Sequence, residues 1–144
     1  MYTDGSSGQE SSGQKCKWIG AYAYTIYNND KLMYQSNANL IPAKISLCEL
    51  MAVARALYTC IKLYPNQPIR VYTDSQYVIS GSEHPSEVKT NRECWKVFSR
   101  IVGNRNIRFF HVKSHQGNSQ NKHCRRNADV HRLAKEKLRS WFKK

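Results

Sequence analysis

The chain has 144 residues, 40% of them hydrophobic, which suits one compact domain with its own core over residues 1–144. A total of 23 Lys and Arg against 10 Asp and Glu gives a formal net charge of +13, so the expected partner is nucleic acid. No apolar run approaches the ~20 residues that cross a bilayer. We therefore expect a soluble, intracellular protein with no membrane partner.

The first part of the chain is expected to consist of strands. Residues 1–3 are a short β-type run that ends at Asp4, and the Gly/Ser/Gln-rich residues 5–14 predict a loop. Residues 18–27 and 32–40 predict two further strands, which the turn at Asn28-Asn29-Asp30 joins into a hairpin.

Helices and strands alternate in the rest of the chain. Leu47, Leu50, Leu57 and Ile61 recur at helical spacing and predict a helix over residues 46–63. The elements predicted after it are a strand at 69–73, a short helix at 75–79, a polar loop at 81–85, a helix at 92–102, a strand at 107–112, a basic loop at 114–126 and a closing helix at 128–142.

This order of elements predicts an α/β fold with a five-stranded mixed β-sheet flanked by α-helices. Ligands of such sheets usually bind at the carboxyl ends of the strands. Asp4 and Asp74 are both expected at such ends, because each follows a predicted strand.

The cysteines do not indicate a metal site. The five cysteines are scattered and form no Cys-x-x-Cys pair, so we expect reduced thiols. Cys124 with His111, His115 and His123 lacks the paired short spacings of a zinc site, which argues against zinc.

Four acidic residues stand at predicted element boundaries, and each has a structural interpretation. Asp4 fits a turn, Asp74 a helix cap, and Asp129 a first-turn acid that the helix dipole favours. Glu49 fits a capping box with Ser46. If instead these carboxylates gather, two of them ~4 Å apart repel by about 4 kcal/mol at an effective dielectric of 20, which requires cations.

Five motifs along the chain favour the second interpretation. Together and in this order they resemble the ribonuclease H family along nearly the whole chain. They are Thr3-Asp4-Gly5-Ser6, Glu49-Leu50-Met51-Ala52, Thr73-Asp74-Ser75-Gln76-Tyr77-Val78, His111-Val112-Lys113-Ser114-His115-Gln116-Gly117, and Asn127-Ala128-Asp129 with Leu133-Ala134.

The resemblance implies hydrolysis of the RNA strand of RNA–DNA hybrids, leaving 5′-phosphate and 3′-hydroxyl ends. It implies two Mg²⁺ ions, with Mn²⁺ as a substitute, about 3.5–4 Å apart. Asp4 is then expected to bridge both ions, Glu49 and Asp74 to bind the first, and Asp129 the second. His115 is expected to assist proton transfer or product release.

Substrate contacts are expected on both sides of the carboxylates. Turns and helix starts bind anions through backbone N–H groups, which singles out Gly5, Ser6, Ser75 and Gln76. A basic border is expected to contact phosphates and to set the salt dependence of binding. Its members are Lys113, Lys122, Arg125 and Arg126.

The sequence departs from the family at several places. Residues 81–92 lack a basic, Trp-rich protrusion, which favours a retroviral or compact cellular type. The family often carries Asn four residues before its last Asp, where Arg125 stands here relative to Asp129. We expect a monomer, or a domain of a longer polypeptide such as a reverse transcriptase.

Two other functions remain open. One is a nuclease of the same fold that cuts a different duplex, and the other is a binding module without turnover.

Overall fold

The computed structural model describes residues 1–12, 15–113 and 121–143, and within this part of the chain five strands form one sheet in the order β3-β2-β1-β4-β5. Strands β1 to β3 are antiparallel, and β4 pairs in parallel with both β1 and β5. The predicted mixed α/β sheet is confirmed. The elements are β1 (Tyr2–Ser12), β2 (Lys15–Asn28), β3 (Lys31–Leu40), α1 (Ile45–Leu63), β4 (Ile69–Thr73), α2 (Gln76–Glu83), a 3₁₀ turn (Pro85–Glu87), α3 (Arg92–Val102), β5 (Ile107–His111) and α4 (Lys122–Phe142).

Helices cover both faces of the sheet. The larger core lies under α1 and α3, where Leu50, Val53 and Leu57 of α1 are fully buried, as their helical spacing predicted. On the opposite face, Val130 and Ala134 of α4 pack on Tyr2 and neighbouring strand residues. None of the helices described is both long and apolar enough to cross a membrane.

The first strand is much longer than expected. Residues 5–12, predicted as a loop, continue β1 and pair with β2 down to the partners Ser12 and Lys15. The prediction was wrong because it relied on composition, and a Gly/Ser-rich segment needs no apolar side chains when its backbone groups are paired in a hairpin. Asp4 therefore lies inside a strand and not at its end.

The last helix begins earlier than expected. Residues 122–126, predicted as loop, form the first turn of α4. The side chain of Asn121 caps this helix by accepting a hydrogen bond from the backbone N–H of His123 at 2.8 Å. Asn is a favoured N-cap residue, so this start was readable in the sequence.

The ends of two further elements also differ from the prediction, by a few residues each. Helix α2 runs on to Glu83, so residues 81–83 are helical, and Gly81 packs against Trp95. A Cβ at Gly81 would lie 2.2 Å from the indole ring, which explains why a glycine occupies this buried helical position. Strand β5 ends at His111, one residue before the predicted end.

Candidate functional site

Asp4 and Asp74 lie side by side because β1 and β4 are parallel and in register. Tyr2 pairs with Tyr72 and Thr3 with Thr73. Asp4 and Asp74, the residues that follow Thr3 and Thr73, therefore lie next to each other across the two strands. Strand β4 ends at Thr73, directly before Asp74, whereas β1 continues to Ser12. Asp4 is 3% exposed, and its Oδ1 accepts a hydrogen bond from the N–H of Gly5 at 2.9 Å.

Glu49 joins the two aspartates from helix α1. Its Oε2 accepts a hydrogen bond from the Ser75 hydroxyl at 2.6 Å. Ser75 also caps α2, since its oxygen accepts the N–H of Val78 at 3.2 Å. One carboxylate oxygen from each of Asp4, Glu49 and Asp74 lies within 4.8 Å of the others. We call these three residues the carboxylate group.

The structural interpretations of these acids fail in the fold. Ser75, not Asp74, caps α2. The capping box of Ser46 and Glu49 does not form, because α1 begins at Ile45 after Lys44 and has no side-chain cap. Since no local backbone need accounts for Glu49 or Asp74, their convergence indicates a site.

Helix α4 faces the carboxylate group with Asn127 and His131. The imidazole Nδ1 of His131 lies 2.5 Å from Oδ2 of Asp4, and Nδ2 of Asn127 lies 3.5 Å from Oδ2 of Asp74. Neither residue was identified from the sequence. They are four residues apart and so share a helix face. The family often carries Asn four residues before its last Asp, and here Asn127 stands four residues before His131 and only two before Asp129.

Asp129 lies elsewhere on α4. Its carboxylate accepts a hydrogen bond from Arg132 at 3.4 Å, and its side chain is 50% exposed. The structure therefore brings together three of the four expected carboxylates. His115 lies outside the described residues.

The carboxylate group carries repulsion that its hydrogen bonds relieve only in part. Burial, followed by the charges of Asp4 and Asp74, raises the pKa of Glu49 to about 7, although the hydrogen bond from Ser75 opposes the shift. Burial and the charge of Asp4 also raise the pKa of Asp74. The pKa of His131 is raised by its hydrogen bond to Asp4. Such a site favours binding of a cation.

The raised pKa of Glu49 predicts how stability depends on pH without metal. The carboxyl of the unfolded chain ionises near its usual pKa of 4.5, whereas the folded chain holds the proton up to about 7. Through Glu49, the free energy of unfolding should therefore fall as pH rises between these values, by at most about 1.4 kcal/mol per pH unit, and this contribution should level off above them. Urea unfolding in chelator over this range measures the slope.

The matched variant for this experiment is Glu49→Gln. It should remove the contribution of Glu49 and so flatten the slope by up to about 1.4 kcal/mol per pH unit, because an amide does not titrate in this range. A slope equal to that of the wild type would show that Glu49 is not the group responsible.

The expected substrate-contact residues occupy different environments. Ser6 and Ser75 are buried, and Ser75 is engaged by Glu49, whereas Gln76 is exposed at the start of α2 beside Asp74. Gly5 packs directly on α1, where a Cβ would lie 2.6 Å from the backbone nitrogen of Glu49. Gly5 therefore has a packing role that sequence reasoning missed.

The expected basic border divides into two kinds of residue. Lys113 and Arg125 are exposed. Arg126 instead lies over the ring of Tyr27, 3.9 Å from its centroid, contacts Asp30 at 3.4 Å, and is only 17% exposed. Lys122 also pairs with Asp30, at 2.8 Å. Arg126 and Lys122 thus tie α4 to the β2–β3 turn.

Comparison with known sequences and structures agrees with this fold. The RNase H family model matches residues 1–138. The Gag-Pro-Pol polyprotein of Mason-Pfizer monkey virus is 32% identical over 125 residues, which are 81% of this chain and 6% of the polyprotein. The chain thus spans a small part of that relative.

Solved structures share the architecture. The protease–reverse transcriptase of prototype foamy virus superposes with a TM-score of 0.76 at 22% identity, over 95% of this chain and 20% of that one. LC11-RNase H1, solved in complex with an RNA/DNA hybrid, superposes with a TM-score of 0.71 at 19% identity, over 98% and 96% of the two chains. The match over residues 1–138, with the sheet and the carboxylate group in place, shows that this chain belongs to the RNase H family.

Proposed function

We propose that this protein hydrolyses the RNA strand of RNA–DNA hybrids with the help of divalent metal ions, leaving 5′-phosphate and 3′-hydroxyl ends. The observation that carries the proposal is the convergence of Asp4, Glu49 and Asp74 within 4.8 Å, from three elements of an RNase H fold.

The residues present fit a hard divalent cation. The carboxylate group offers oxygen ligands only, which suits Mg²⁺ or Mn²⁺. The buried Asn127, 1% exposed, keeps its Oδ1 without a hydrogen-bond partner in the described part of the chain, although its amide adjoins Asp74. A site with raised carboxyl pKa values and an unsatisfied polar atom is suited to bind an ion.

Asp4, Glu49 and Asp74 would hold the metal through their carboxylate oxygens. Two bound ions supply an activated water and stabilise charge on the departing oxygen. The protein contributes orientation: the Gly5 N–H and the Ser75 hydroxyl each fix a carboxylate, as the distances of 2.9 and 2.6 Å indicate. His115 is proposed to move a proton near the scissile phosphate.

The hybrid substrate is supported by charge and by a structural neighbour. The net charge of +13 favours a polyanion, and LC11-RNase H1 was solved with an RNA/DNA hybrid. Gln76, exposed beside Asp74, and the exposed Lys113 and Arg125 are proposed to contact the substrate, with Gly5, Ser6 and Ser75 shaping the site between them. The polyprotein relatives support a place within a longer polypeptide.

Lys113→Ala should lower the salt dependence of hybrid binding. Each phosphate contact contributes roughly 0.9 to the slope of log affinity against log salt for duplex DNA, and Lys113 is exposed two residues after the end of β5. We expect the slope to fall by about one unit. Fluorescence anisotropy with a labelled hybrid, over a range of salt concentrations in chelator, measures it.

Arg126→Ala is the matched comparison for Lys113→Ala, since it removes the same charge from a partly buried position. Its contacts with Tyr27 and Asp30 predict an unchanged salt slope and lower stability, by about 1–2 kcal/mol. If the slope falls for Arg126→Ala and not for Lys113→Ala, the binding surface is assigned to the wrong residues.

The proposed function is tested by offering the protein three labelled duplexes: RNA–DNA hybrid, duplex RNA and duplex DNA. Each is incubated with Mg²⁺, with Mn²⁺ and with chelator. We expect only the RNA strand of the hybrid to be cut, and only with metal. Cleavage of another duplex would assign a different nuclease, and binding of hybrid without cutting would assign a binding module.

A further inference from the structure

Helix α4 approaches Asp4 with an imidazole and not with a carboxylate. The Nδ1 of His131 is 2.5 Å from Oδ2 of Asp4, on the edge of the carboxylate group that faces α4. Asn127, one helical turn earlier, reaches Asp74 in the same way. Two α4 side chains on one helix face therefore contact two of the three carboxylates.

The geometry of the helix keeps Asp129 away from this edge. Asp129 follows Asn127 by two residues and so lies about 200° around the helix from it. Its carboxylate contacts Arg132, which also lies 3.9 Å from Glu136. Asn127 and Asp129 cannot both face the carboxylate group, and in this fold Asn127 does.

We propose that His131, and not Asp129, is the metal ligand that α4 contributes, through one of its ring nitrogens, for the ion shared with Asp4. This inference rests on the proposed function and makes it more specific. Imidazole is a neutral nitrogen donor and also a common metal ligand. The close contact between His131 Nδ1 and Asp4 Oδ2 places two possible metal-ligand atoms within reach of one ion.

A nitrogen ligand changes which metal the site prefers. Mg²⁺ is bound mainly by oxygen donors, whereas the affinity of mixed nitrogen and oxygen sites rises along the transition-metal series from Mn²⁺. Replacing a carboxylate by imidazole also removes one negative charge, which weakens Mg²⁺ binding further. The ion beside His131 should therefore be Mn²⁺ in preference to Mg²⁺.

The experiment is pulsed electron paramagnetic resonance of the whole chain, frozen with two equivalents of Mn²⁺. Nitrogen bound to Mn²⁺ modulates the echo, and oxygen ligands do not. We expect nitrogen modulation in the wild type and in Asp129→Asn, which is the matched α4 control. His131→Asp and His131→Gln should both lose it; the uncharged Gln variant serves if a fourth acid beside Asp4 unfolds the protein.

Melting curves of the same proteins give a second readout. In the wild type, the Mn²⁺ concentration for half-maximal stabilisation should be at least about tenfold below that of Mg²⁺, and His131→Asp should reduce this ratio to about threefold.

The outcomes separate this inference from the proposed function. Nitrogen modulation that persists in both His131 variants, or is absent from a wild type that binds Mn²⁺, overturns the role of His131 and leaves the carboxylate group as a metal site. Loss of modulation in Asp129→Asn also overturns it. A wild type that binds no Mn²⁺ contradicts both, whereas hybrid cleavage tests the proposed function alone.

Discussion

Asp74→Asn should lower the rate of hybrid cleavage by about a thousandfold or more, because bound metal contributes several kcal/mol of transition-state stabilisation and Asp74 is one of its three described carboxylates. The Asn amide is isosteric with the Asp carboxylate, so the shape of the site is kept and binding of the hybrid should persist. Single-turnover cleavage of a labelled hybrid in Mg²⁺ measures the rate.

The same variant should fold at least as well as the wild type without metal. Burial and the charge of Asp4 raise the pKa of Asp74, so its ionised form is disfavoured in the folded protein, and an amide removes that repulsion. Glu93→Gln removes one acid from an exposed site on α3 and should keep wild-type cleavage. An unfolded Asp74→Asn protein, or one that cuts normally, would contradict the assignment.

Gly5→Ala should destabilise the protein by about 2–3 kcal/mol and weaken metal binding. A Cβ at this position would lie 2.6 Å from the backbone nitrogen of Glu49 and 2.8 Å from Cβ of Cys48. Backbone atoms of α1 cannot move aside cheaply, so β1 must shift away from the helix. This shift would separate Asp4 from Glu49, and the added methyl group would thereby disturb both the fold and the site.

Gly8→Ala is the matched control for Gly5→Ala, since it adds the same methyl group to the same strand. Its Cβ would meet the ring of Phe142 at 3.6 Å, an ordinary contact, so stability should change by less than about 0.5 kcal/mol. Chemical denaturation and the Mg²⁺-dependent melting temperature measure both variants. Equal effects at the two glycines would show that close packing of β1 on α1 does not position Asp4.

The parts of the fold that the sequence predicted well are those set by hydrophobic periodicity. Helix α1 follows from the spacing of Leu50 and Leu57, and strand β4 from the short β-type run that precedes Asp74. These elements lie in the core, where the pattern of buried side chains determines the structure. Two of the three residues of the carboxylate group, Glu49 and Asp74, are positioned by them.

The parts of the fold that the sequence predicted poorly depend on backbone pairing and on the rotation of α4 about its own axis. Residues 5–12 form a strand because they pair with β2, which composition does not reveal. Which residue of α4 faces the site depends on where the helix packs on Tyr2, and Val130 and Ala134 fix that rotation. The same packing directs Asn127 and His131 to the carboxylates and Asp129 toward Arg132.

The central claim, that Asp4, Glu49 and Asp74 form one metal site, is tested most directly by the melting temperature of the protein against Mg²⁺ concentration. A ligand that binds only the folded chain stabilises it by mass action. Mg²⁺ should raise the melting temperature of the wild type and have little effect on Asp4→Asn or Asp74→Asn. Equal increases in the wild type and both variants would show that Mg²⁺ binds elsewhere and would contradict the account.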